Sequence, residues 1–143
     1  NLCDLLQGIV REHAAGVEIR GRRGPDCQLR VKPLALRRIL SNLVENAARY
    51  GDGQPIDIEY DVYSDSVEIR VLDRGPGIPE SEREAVFQPF RRLDPSRSSR
   101  TGGSGLGLAI VRQIAQTNGW SVTLDARPGG GTIARVKLPL NEV

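Results

Sequence analysis

The chain has 143 residues, 38% of them hydrophobic, a length and apolar content that suit one domain with a single core and argue against two. Twenty basic against 18 acidic side chains leave a formal charge of only +2, which excludes the broad basic field of a nucleic-acid or membrane-surface binder. Cys3 and Cys27 form no CxxC pair, no histidine stands at metal-ligand spacing, and no apolar run approaches the roughly 18 residues of a membrane span, so reduced thiols and a cytosolic domain are expected.

Leu2, Leu5, Leu6, Ile9 and Val10 recur at helical spacing and predict a short helix within residues 1–15. "VEIR" (17–20) and "CQLRV" (27–31) flank a turn rich in Gly, Arg and Pro and read as two strands paired in a hairpin. A helix opens at Pro33, carries the stripe Leu36, Ile39, Leu40, Leu43, Val44 and Ala47, and ends at Gly51 and Gly53. Apolar and polar residues alternate in "PIDIEYDVY" (55–63) and "VEIRVLD" (67–73), which predicts a second hairpin. After "RGPGIP" a short helix is expected around residues 80–87, and 95–105 reads as a mobile loop. "LGLAIVRQIAQTNG" is helical and stopped by Gly119; "WSVTLDA" and "TIARVKLP", separated by "RPGGG", are two last strands. This order predicts an α/β two-layer sandwich, a mixed and largely antiparallel sheet with about three helices on one face.

Three features point beyond a packed core. Asn42, Glu45, Asn46 and Arg49 share one face of the Pro33 helix, away from the leucine stripe. Glu45 and Arg49 also suit an ordinary solvated ion pair, whereas asparagine gives up roughly 0.5 kcal/mol to alanine inside a helix, and its amide oxygen can ligate a hard cation such as Mg²⁺. Asp73 has the strand parity of Val67, Ile69 and Val71, which puts a carboxylate on the apolar face. It either caps the "RGPGI" turn or accepts a hydrogen bond from the amine of a flat ligand, with Gly75 and Gly77 letting that ligand approach the backbone. "GGSGLGL" (102–108) leads into a helix and offers an anion site or a hinge, with Arg91, Arg92, Arg97 and Arg100 nearby as phosphate contacts or as a solvated basic loop.

The run "NLVENAARYG … DRGPGIP … VFQPFRRLD … GGSGLGLAIV" resembles the N, G1, F and G2 boxes of bacterial sensor histidine kinases, in the same order and over residues 42–111. It looks most like their osmosensor-type branch, and nearly the whole chain, residues 1–143, fits the catalytic ATP-binding domain, whose Bergerat fold is shared with DNA gyrase B, the 90-kDa heat-shock chaperones and MutL. The resemblance implies that Asn46 ligates Mg²⁺, with Asn42 helping to organise the metal and phosphates, and that Arg49 approaches the phosphates while Tyr50 packs on the adenine side. Asp73 takes the adenine amine, and Gly75, Gly77 and Ile78 shape the base pocket. Phe87 and Phe90 anchor a lid from about Arg91 to Ser104 in which Arg92 and Leu93 meet nucleotide; Arg92 joins Asn42 and Asn46 in catalysis. Ser104, Gly105, Leu106, Gly107 and Leu108 wrap the phosphates, and the hydroxyl of Thr132 supports Asp73.

Hydrolysing members of the wider superfamily carry a glutamate base four residues before the metal-binding Asn, where this chain has Asn42, an amide that cannot take a proton from water. The resemblance therefore implies that ATP and Mg²⁺ are held and the γ-phosphoryl passes to a histidine on a separate dimerisation domain of the same parent protein, with a response regulator downstream. His13, the sole histidine, lacks the "HE-x-R-T-P" context of an acceptor, so this piece is expected to bind ATP without phosphorylating itself. A nucleotide-gated conformational module or slow ATPase is the alternative, and a serine-kinase anti-sigma factor or pure scaffold a third, non-enzymatic one. The chain begins at Asn1 and is expected to be a monomeric, cytoplasmic fragment of a homodimeric inner-membrane protein that binds no nucleic acid.

Overall fold

The computed structural model describes residues 2–12, 17–21, 32–50, 54–87 and 107–139. The elements run α1 (Leu2–Glu12), β1 (Val17–Gly21), α2 (Pro33–Tyr50), β2 (Ile56–Val62), β3 (Ser66–Leu72), two short 3₁₀ turns (Glu80–Glu82 and Ala85–Phe87), α3 (Gly107–Thr117), β4 (Ser121–Ala126) and β5 (Thr132–Pro139). The strands form one sheet in the order β1-β2-β3-β5-β4, antiparallel throughout except where β1 runs parallel to β2. The expected two-layer α/β sandwich is thus present.

Period-two alternation decides which side the helices cover. Ile58 faces Val71, Tyr60 faces Ile69, and Val71 and Ile69 face Ala134 and Val136 on the next strand, so one side of the sheet is continuously apolar. Against it pack Leu2, Leu6 and Ile9 of α1, the full predicted stripe of α2 from Leu36 to Ala47, and Leu108, Val111 and Ala115 of α3, in one buried cluster. The other side is charged. Arg70 of β3 touches Glu59 (3.3 Å), Asp61 (2.7 Å) and Glu68 (3.4 Å), and Arg135 of β5 touches Glu68 (3.3 Å) and Asp125 (3.0 Å). Burial alone would disfavour the Arg70 cation, but Asp61, Glu59 and Glu68 outweigh it and raise its pKa. The outward pair Leu72 and Ile133 at the Asp73 end of the sheet is nonetheless buried.

One expectation needs correction, and another reaches beyond the described residues. β1 pairs in parallel with β2, Val17 opposite Ile56 and Ile19 opposite Ile58; the partner expected for it in a hairpin, residues 27–31, lies outside the described residues. The helix expected at 80–87 is instead two 3₁₀ turns, closed by Arg83 N–H to Glu80 O and Phe87 N–H to Glu84 O, both 3.3 Å. Among the described side chains there, only the adjacent Val86 and Phe87 are buried, and they make no stripe at three- and four-residue spacing to hold an α-helix. Gly119 ends α3 with φ 73°, and Trp120 N–H returns to Ala115 O at 2.8 Å, as expected of a glycine stop.

Candidate functional site

β3 delivers Asp73 just beyond its last residue, in line with the inward row Val67, Ile69 and Val71. Asp73 is buried at 8% exposure, and its Oδ1 accepts two backbone hydrogen bonds, from Gly75 N–H (3.0 Å) and Thr132 N–H (3.2 Å). Its own N–H donates to Thr132 O at 3.0 Å, so β3 and β5 clasp it from both ends of the residue. No described residue donates to Oδ2. Burial raises the Asp73 pKa, while the Gly75 and Thr132 amides and the nearby Arg127 cation pull the other way. A carboxylate with one oxygen satisfied by the fold and the other left as an acceptor is what recognition of a donor requires.

Asp73 also borders a recess in the surface. A recess of about 30 Å³ is lined by Leu43, Asn46 and Ala47 of α2, Val71 and Asp73, the turn Pro76, Gly77 and Ile78, Leu108 of α3, Leu124 of β4, and Thr132 and Ala134 of β5. Its described walls are mostly apolar, and Asp73 is the single charged side chain among the described lining residues. The space suits the edge of a flat ring, with the rest of any larger ligand outside. Gly77 has φ 85°, a conformation that a side chain would strain, and a Cβ there would meet Gly131 O at 3.2 Å. On the far side of the same turn, a wider surface hollow of about 460 Å³ runs from Pro76–Pro79 to Ala126, Arg127, Gly130 and Gly131.

The structure therefore brings together Asn46, Asp73, Gly77, Ile78, Leu108 and Thr132 around one recess, with Gly75 buried beside it as a donor to Asp73. Asn42 is half-buried one turn before Asn46 and does not line the recess, and Glu45 is exposed. Gly107 is the first residue of α3. Thr132 supports Asp73 as expected, but through its backbone amide and carbonyl rather than its hydroxyl. Parity found the residue and could not see that pairing beside the strand end supplies main-chain groups. Asp73 caps the turn, one of the two readings of the sequence, and also lines the recess. The side chains of Arg49 and Tyr50, and Phe90, Arg92, Leu93, Ser104, Gly105 and Leu106 altogether, lie outside what is described, as does His13.

Other lining residues were legible only as core. Leu43, Ala47, Val71, Leu124 and Ala134 obey the same periodicities as the packed interior, and nothing in their spacing marks them as walls. Gly131 was one of three glycines in a separator; in the structure it has φ 111°, and a Cβ on it would overlap the Asp73 carbonyl oxygen and stand 2.9 Å from the carbonyl carbon. Among the described residues no group of three or more His, Cys, Asp or Glu could hold a metal. A cation here would depend on an amide such as Asn46, on ligand oxygens and on water, a donor set that suits Mg²⁺.

Known proteins bear on this geometry. The profile of histidine kinase-, DNA gyrase B- and HSP90-like ATPases matches residues 31–142. The sensor histidine kinase component HK1 of Mycobacterium tuberculosis is 37% identical over 135 residues, which cover 94% of this chain and 79% of that protein. Sensor histidine kinase GtrS of Pseudomonas aeruginosa is 40% identical over 137 residues, 94% of this chain but only 27% of GtrS. The ATP binding domain of PrrB from Mycobacterium tuberculosis superposes with a TM-score of 0.73 at 29% identity, over 95% of this chain and 91% of that one. No described helix is long and apolar enough to cross a membrane.

Proposed function

The chain belongs to the histidine kinase-, DNA gyrase B- and HSP90-like ATPase family, its relatives being sensor histidine kinases, and from that premise we propose that it binds ATP with Mg²⁺ and donates the γ-phosphoryl to a histidine on a separate dimerisation domain of its parent protein. The observation that carries this reading is the convergence of Asp73 and Asn46, from a strand end and a helix face, on one recess. Asp73 Oδ2 accepts the exocyclic amine of adenine, while Gly77 and Ile78 lie along the ring and Leu43, Ala47 and Leu124 exclude water from its edge. Discrimination follows directly, because guanine places a carbonyl where adenine has its amine, and two acceptors then face each other.

Asn46, on the α2 side of the same recess, would hold the metal, and Mg²⁺ would supply charge neutralisation to the bound triphosphate. Asn42 stands where a hydrolytic glutamate would stand and cannot deprotonate water, and the nearby carboxylate of Glu45 is exposed. The chain's own contribution is then to hold and orient the nucleotide until the acceptor imidazole arrives in line with the γ-phosphorus. Support comes from family membership and from the match to the ATP binding domain of PrrB. On this reading the parent sits in the bacterial inner membrane with this domain on the cytoplasmic side, and acts on a response regulator through the phosphorylated histidine.

The test is a calorimetric titration with ADP, ATP and GTP in Mg²⁺ and in EDTA, followed by mixing with the parent's histidine-bearing domain and ATP. The adenine nucleotides are expected to bind and GTP to fail, with phosphohistidine forming on the acceptor and none on this chain. Equal affinity for GTP, or phosphate release without labelling of the acceptor, would refute the kinase reading.

A further inference from the structure

Behind Asp73, on the charged side of the sheet, lies a second group of residues that the recess does not use. Asp57 of β2 is fully buried, and two arginines converge on its Oδ2, Arg127 through Nη2 at 2.6 Å and Arg74 through Nη2 at 3.0 Å. Each arginine has a second attachment. Arg74 Nη1 donates to Pro55 O at 2.6 Å, and Arg127 Nη1 donates to Asp73 O at 3.1 Å. The guanidinium of Arg127 is planar, so its two ends are fixed relative to each other, and a carboxylate on one end dictates where the other end points. Arg127 is itself rooted in the turn that packs on Asp73: its N–H donates to Gly131 O at 3.0 Å, and Gly131 fits against the Asp73 peptide with no room for a Cβ.

The Asp73 peptide is thereby held from every direction: by Thr132 at its N–H, by Arg127 at its carbonyl oxygen, by Gly131 in van der Waals contact, and by Gly75 and Thr132 at Oδ1. A rigid surround of this kind exceeds what a turn at a strand end needs. We propose that Arg127, oriented by Asp57, is a positioning residue that sets the direction in which Asp73 presents its carboxylate to the nucleotide base. The inference rests on the reading of the recess as the base site. Burying the ion pair Asp57–Arg127 does little for stability compared with an apolar pair of the same shape, so its use lies in the geometry it enforces.

The arrangement has an electrostatic consequence that separates positioning from mere support. The charged groups near Asp73 are Arg127 from the β4–β5 turn, Arg74 next in sequence, and Asp57 from β2; α2, α3, β4 and β5 present no charged side chain to the recess among the described residues. Arg127 favours the ionised form of Asp73, opposing burial. Replacing it with a neutral residue moves the acid limb of nucleotide binding to higher pH, whereas a lysine keeps the cation and loses the fork.

The experiment measures ADP affinity against pH for the parent chain, Asp73→Asn, Arg127→Gln and Arg127→Lys. The expected result is ADP binding by the parent and binding on the order of 100-fold weaker by Asp73→Asn. Both Arg127 variants should bind about tenfold more weakly, the size of one lost hydrogen bond between charged and polar groups, and the acid midpoint should rise in Arg127→Gln but stay in place in Arg127→Lys. Should Arg127→Gln fail to fold, the tenfold loss in Arg127→Lys decides alone. Parent-like affinity in a folded Arg127 variant, or an unmoved midpoint in Arg127→Gln, overturns the positioning role while leaving the base site intact. Failure of the parent to bind ADP, or parent-like binding by Asp73→Asn, overturns the base site and this inference together.

Discussion

Replacing Asp73 with asparagine separates the fold from the site within one side chain. The two amides that donate to Oδ1, at 3.0 and 3.2 Å, require an acceptor in that position, so the asparagine carbonyl must take it and the NH₂ group must take the place of Oδ2. The fold keeps both hydrogen bonds. It also sheds a buried charge: because the folded-state pKa of Asp73 is raised, the stability tied to its protonation is fully present below the unfolded pKa and lost as pH rises through the folded one. At neutral pH the ionised carboxylate therefore works against the ligand-free fold, and the variant should melt at the parent's temperature or a few degrees above it. Nucleotide binding fares differently. At a ligand concentration about 100 times its dissociation constant the parent gains about 2.7 kcal/mol, roughly 10 °C for a chain of this size. In the variant a donor faces the adenine amine in place of a charged acceptor, a loss of about 1.5–3 kcal/mol that is increased by the opposed donors, so affinity falls on the order of 100-fold. At the same ADP concentration the gain shrinks to about 0.4 kcal/mol, roughly 2 °C. Thermal melts of both proteins with and without ADP measure all four states. A variant still shifted like the parent, or one unfolded without ligand, would sink the account of Asp73.

Gly131→Ala forces a Cβ onto the Asp73 carbonyl at a φ of 111°, and should lower stability by about 3 kcal/mol and abolish ADP binding; Gly129→Ala, at φ 89° with open space around it, should lose only about 1 kcal/mol and bind normally, as denaturant melts would show. Asn46→Ala should bind ADP equally in Mg²⁺ and in EDTA, whereas the parent binds more tightly with Mg²⁺; a persisting metal dependence by calorimetry places the cation elsewhere. Arg70→Met leaves Glu59, Asp61 and Glu68 facing one another and should destabilise by about 1–3 kcal/mol, less in high salt, without changing ADP affinity.

Most of the fold was legible because it follows from two periods. The α2 stripe and the β2–β3 and β4–β5 alternations each name their buried face without reference to anything distant. What sequence could not give was pairing between segments far apart: β1 chose β2, and β3 chose β5, on register that only the assembled sheet defines. The site divides along the same line. Asp73 and Asn46 stood out because each breaks a local preference, a carboxylate among valines and an amide inside a helix. Asp57, Arg127 and Gly131 break none, since an outward strand aspartate, a turn arginine and a turn glycine are all ordinary where they stand, and their roles exist only once β2, β3 and the β4–β5 turn meet.

The seam between β3 and β5 joins Leu72 to Ile133, and Asp73 finds its backbone partner in Thr132 across 59 positions of chain. During synthesis, when early segments emerge and begin to order first, the helix and hairpin that carry Asn46 and Asp73 therefore leave the ribosome well before the strand that completes their surroundings. Competence to capture a nucleotide arrives with the final strand and not gradually, so ligand capture by nascent chains of increasing length would register as a single late step rather than a ramp.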